Sequence, residues 1–72
     1  MTKFEIEDLI IQLESVEMDF RHHNKMQRVG MIQEMIGFLY CINHGLYVLT
    51  ETGEINIKSR IKWLMNKEGI LS

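Results

Sequence analysis

Between residues 4 and 20 the chain sets apolar side chains on two separate faces of one helix, and a short polypeptide has few ways to cover both. Ile6, Leu9, Ile10, Leu13, Val16 and Phe20 recur at steps of three and four, the spacing of a single apolar stripe. Phe4, Ile11 and Met18 recur at steps of seven and fall about 140° around the helix from that stripe, at 100° per residue. The first face can meet other helices of the chain. The second needs either helices 2 and 3 wrapped on both sides or a symmetry mate.

The chain has 72 residues, and a domain of that size buries only about 60% of the surface its unfolded form exposes. A lone cysteine cannot staple it, and no metal cage is evident, so association with itself or with a partner is the remaining route to extra burial. Six methionines fit an adaptable shared surface, and equally the filling of gaps in a private core. At 46% apolar and 25% charged residues the chain is one folded domain over residues 1–72, not a disordered one. Single-cysteine usage without a signal-like apolar stretch points to the reducing cytoplasm.

The pattern predicts a mainly α fold: an antiparallel helical hairpin, then a third C-terminal helix, with a short β-hairpin between helices 2 and 3. Thr2 and Glu5 fit a capping box, so helix 1 begins near Lys3. Acids at its start and Arg21, His22 and His23 at its end suit the helix dipole. A break is expected from His23 to Lys25, because the seam Met26, Val29, Ile36 and Tyr40 is out of phase with the helix 1 stripe. Helix 2, about Lys25 to Asn43, is apolar nearly all round from Val29 to Ile42, as expected of a helix buried on several sides. It is too short and too interrupted to span a membrane. Gly30, Gly37 and Cys41 line one strip of it, and each central glycine costs roughly 1 kcal/mol against alanine, which a close helix crossing would explain. Gly45 reads as the C-cap. Tyr47 to Thr50 and Ile55 to Ile57 read as strands around the turn Glu51 to Glu54. Helix 3 is expected from Asn56 or Ile57 to Glu68, with Ile57, Ile61, Leu64 and Met65 inward, Gly69 as its cap and Ile70 folded back.

Catalytic chemistry finds no foothold: the serines lack a histidine and carboxylate context, and the glycines form no phosphate loop. The expectation is a non-enzymatic protein without a cofactor. Cys41, His44, His22 and His23 are zinc ligands by type, yet a hairpin sets the last two roughly 25 Å from Cys41, so no metal is expected. Charge is more informative when the chain is divided. Residues 1–20 hold one lysine against six acids, net −5, and residues 21–72 hold seven bases against four acids, net +3. Helix 3 carries Lys58, Arg60, Lys62 and Lys67 around Trp63, an aromatic anchor among bases that would suit an acidic protein surface or a phosphate backbone. The alternative is an indole packed into the core among bases that only solubilise the helix.

Two stretches are similar to parts of winged-helix DNA-binding domains. Ile57 to Leu64, running on through Lys67 to Leu71, is similar to a recognition helix entering a wing, and Leu46 to Gly53 to a wing strand. Their order is the reverse of that fold's, and the chain is not assigned to it. The leading expectation is a small regulator or inhibitor, of the kind phages encode, that binds a larger protein as a homodimer. Its partner-binding residues would be Trp63, Lys58, Arg60, Lys62 and Lys67, and its subunit interface Phe4, Ile11, Met18, Met31, Met35, Phe38 and Ile42. A DNA-binding regulator is the second expectation, and an oligomeric small-ligand binder the third.

Overall fold

Thr2 opens the first helix: its Oγ1 accepts the Glu5 amide at 3.1 Å, while its hydroxyl donates to the Glu5 carboxylate at 3.4 Å. The Glu5 carboxylate therefore serves the hydroxyl instead of the Thr2 amide that a full capping box would use. From this start the computed structural model, which describes residues 1–68, runs as α1 (Lys3–His22), α2 (Met26–Asn43) and α3 (Glu51–Met65). The helices form an elongated body of 36 × 20 × 19 Å.

The α1–α2 break falls where the sequence places it. Asn24 takes a left-handed φ of 58°, the Lys25 amide donates to Phe20 O at 2.8 Å, and the Asn24 amide to Arg21 O at 3.1 Å. That double return is a Schellman cap, which ends α1 and turns the chain into an antiparallel hairpin. Gly45 repeats the device after α2, with φ 75° and the Leu46 amide on Cys41 O at 2.9 Å.

No β-hairpin forms among the described residues. Residues 51–57 are instead the first turns of α3, because Thr50 caps it: its Oγ1 accepts the Gly53 amide at 3.0 Å, and Glu51 and Glu54 occupy the first turn where the dipole favours acids. An isolated two-stranded ribbon has no third strand to stabilise it, whereas the 3.6-residue period through Ile57, Ile61 and Leu64 extends back into this turn. α3 also stops earlier than expected, at Met65, where Asn66 leaves the helical conformation and its side chain accepts the Glu68 amide. The predicted cap at Gly69 and fold-back of Ile70 lie outside the described residues.

The core is the helix 1 stripe joined to one face each of α2 and α3. Ile6, Ile10, Leu13 and Phe20 meet Val29, Ile32, Met35 and Leu39, and Ile61 and Leu64 close the third side. Leu9, Val16, Ile36, Ile42, Ile57 and Met65 pack half-buried around them. The expected α2 seam is thus rotated: Val29 and Ile36 face inward, but Met26 and Tyr40 are exposed. α2 is covered on one side only. Gly30 and Gly37 lie on its exposed side, with nothing within 4 Å of where a Cβ would sit, so within one chain they serve no helix crossing.

Two substitution sets test this packing by urea denaturation. Leu13→Ala, at a fully buried site, should cost about 3 kcal/mol and leave little of the fold. Gly30→Ala and Gly37→Ala should each gain about 1 kcal/mol, since the helix gains propensity and meets no obstacle.

Candidate functional site

α2 and α3 touch through their inner faces and diverge outward, leaving an open groove of 530 Å³. It is lined by Met31, Glu34, Met35 and Phe38 from α2 and by Ile57, Arg60, Trp63 and Leu64 from α3. Heptad spacing explains the lining: Met31 and Phe38, and likewise Ile57 and Leu64, sit seven residues apart and so on one side of their helices. The walls are thioether, aromatic and aliphatic, with Glu34 and Arg60 as their two charged residues. Tyr47, in the connection after α2, lays its ring 4.9 Å from that of Phe38.

Trp63 stands at this groove half-exposed, at 51%. Its position is set by Arg28, a residue the sequence reading passed over. The guanidinium lies 3.9 Å from the Trp63 ring centroid and 5.3 Å from that of Phe20. Its Nη1 also donates to Leu64 O at 3.3 Å and, at 3.5 Å, to Trp63 O and Asn66 O. These carbonyls belong to the end of α3, where intrahelical donors run out and a positive charge is favoured. One side chain therefore caps α3, stacks on the indole and ties both to the hairpin. The signal was present: Arg28 precedes Ile32, Met35 and Leu39 at steps of four, three and four, a base standing in the core-facing row.

The basic cluster expected on α3 does not remain a cluster. Lys58 pairs with Glu5 at 3.5 Å and Glu54 at 3.7 Å, and Lys67 pairs with Asp19 at 2.9 Å. Lys67 Nζ donates to the Asp19 carboxylate, and that hydrogen bond with the accompanying charge attraction holds the Asp19 pKa below its ordinary value. Glu54 is lowered likewise, first by a hydrogen bond from the Met1 amino group and further by Lys58. Arg60 and Lys62 have no acidic partner within 4 Å among the described residues.

Among the residues expected at a subunit interface, Phe4, Ile11 and Met18 are 84%, 65% and 70% exposed, an apolar row with nothing on it. Met31 is exposed and Phe38 half-buried, both in the groove. Ile42 is half-buried against the core. Met35 requires correction: at 5% exposure it spends its side chain inside its own chain, because the inward face of α2 is centred closer to Met35 than to Met26. His22 and His23 sit at the α1–α2 turn and Cys41 and His44 near the end of α2, and no three potential ligands of a metal ion converge among the described residues. No helix among them is long and apolar enough to cross a membrane.

Arg28→Ala should destabilise the fold by about 2 kcal/mol and change the emission of the sole tryptophan, and Arg28→Lys, lacking the planar fork, should recover less than half. For Asp19, whose folded pKa is depressed, the pair with Lys67 stabilises the fold above the unfolded value and is lost as pH falls through the folded one. An NMR pH titration should therefore place the Asp19 midpoint below that of an ordinary aspartate, and Lys67→Ala should raise it.

Comparison with protein-family models, with curated proteins and with solved structures finds no match for this chain.

Proposed function

We propose that this chain is a non-enzymatic protein-interaction module, a small regulator or inhibitor that takes an amphipathic segment of a larger cytoplasmic protein into the α2–α3 groove. The observation that carries the reading is Trp63, half-exposed and stacked against Arg28 at the edge of a groove walled in part by Met31 and Phe38. Rigid aromatic anchors beside a pliable thioether surface are what helix-in-groove recognition uses, the aromatic supplying area at small entropic cost and methionine adapting to the ligand. The groove is also open, as a polypeptide ligand needs.

Self-association, as a homodimer or a larger assembly, belongs to the same reading. Its support is the exposed row of Phe4, Ile11 and Met18 on a chain too small to leave such surface idle. The nucleic-acid alternative draws less support, since Lys58 and Lys67, two of the bases it needs, face acids of their own chain.

A photoreactive amino acid in place of Trp63, introduced in the native host, tests the reading by mass spectrometry of the products. The expected result is a cross-link to a helical segment of a different polypeptide, abolished by Met31→Asp. Cross-links to nucleic acid alone would overturn it.

A further inference from the structure

The α2–α3 groove carries one charge on each wall, and the two are of opposite sign. We propose that it selects amphipathic helices whose polar flanks are themselves opposite in charge, basic along the flank that meets α2 and acidic along the flank that meets α3. The inference rests on the reading of the groove as a site for such helices, and adds the chemistry of the partner and the direction in which it lies.

Charge carries the argument. Glu34 on α2 and Arg60 on α3 are both exposed, and every other residue lining the groove is thioether, aromatic or aliphatic. Neither has a partner of opposite charge within 4 Å among the described residues, so the two do not pair across the gap. Lys58 and Lys62 stand elsewhere, bordering a separate cleft against α1 with Glu5 and Asp8. A wholly apolar occupant would strip water from Glu34 and Arg60 and return nothing to either, whereas a base beside the first and an acid beside the second restores both interactions. An occupant of one sign satisfies one wall and opposes the other.

Length suits a helical segment. Past Phe38, Ile57 and Arg60 the groove runs on into a smaller hollow of 220 Å³ against Tyr47, Leu49 and Gly53. From Gly53 to Leu64 the α3 wall extends about 16 Å at 1.5 Å per residue, three turns of a docked helix. The two ends of the groove differ: Trp63 stacks with Arg28 where α2 begins, and Tyr47 packs on Phe38 toward the finish of α2. Turning a helix end for end in the groove exchanges the flanks that meet α2 and α3. A helix with one basic and one acidic flank is therefore accepted in one direction only.

Synthetic helical peptides of about 14 residues, free of tryptophan and sharing one leucine stripe, test this on the full chain through the emission of Trp63, its sole tryptophan. Their flanks are lysine on one side and glutamate on the other, the mirrored arrangement, or lysine, glutamate or glutamine throughout. Both split-charge peptides should bind roughly tenfold tighter than the three uniform ones. A nitroxide at the peptide N-terminus should broaden the NMR signals of Trp63 for one split arrangement and of Tyr47 for its mirror. The double variant Glu34→Arg with Arg60→Glu, its fold verified by circular dichroism, should exchange the two. Equal binding by the glutamine peptide, tightest binding by the all-lysine or all-glutamate peptide, or a direction that the charge exchange leaves unaltered would each overturn the proposal. The groove would still take helices in those cases. A Trp63 emission that no peptide alters is a separate result, and it would overturn the groove reading and this inference with it.

Discussion

α3 is held to the hairpin by few side chains, and the rest of the surface follows from that economy. Ile61 and Leu64 are its fully buried residues, both in its C-terminal half, with Ile57 and Met65 half-buried beside them. Arg28 secures the same end from α2, filling the place of missing intrahelical donors. A helix pinned on one narrow line cannot also cover the Met31 and Phe38 side of its neighbour. The groove is thus a by-product of how little interior a chain of this length can build.

Charge is distributed by the same logic. Part of the imbalance between the acidic first helix and the basic remainder is consumed inside the fold, where Glu5 and Asp19 on α1 meet Lys58 at the middle of α3 and Lys67 just past its end. These pairs are exposed and contribute modestly to stability, yet they orient α3 along α1. What remains for outside partners is a smaller set: Glu7 and Glu14 on α1, and Arg60 at the groove on α3.

The helix count, the α1–α2 break and the inward residues of α1 and α3 were legible in the sequence, because they rest on local rules. Periodicity marks a buried stripe, and Asn24 and Gly45 mark the left-handed turns that end helices. The start of α3 was misread. Thr50-Glu51-Thr52-Gly53 carries both turn composition and an N-cap, and strand propensity upstream favoured the wrong one until the packing of Ile57 and Ile61 decided. The exposure of Phe4, Ile11 and Met18 followed from their phase. The groove did not, since divergence of two helices is a tertiary property, and Arg28 escaped notice because its partners are backbone carbonyls more than thirty residues away.

The 36 × 20 × 19 Å outline has a hydrodynamic consequence. A body nearly twice as long as it is wide meets more friction than a sphere of equal mass, and its exposed aromatic and thioether rows invite adsorption to column matrices. Retention on a sizing column will therefore misstate its mass in opposite directions, drag making one copy look heavier and adsorption making it look lighter. Scattered light, which weighs particles irrespective of outline, escapes both errors.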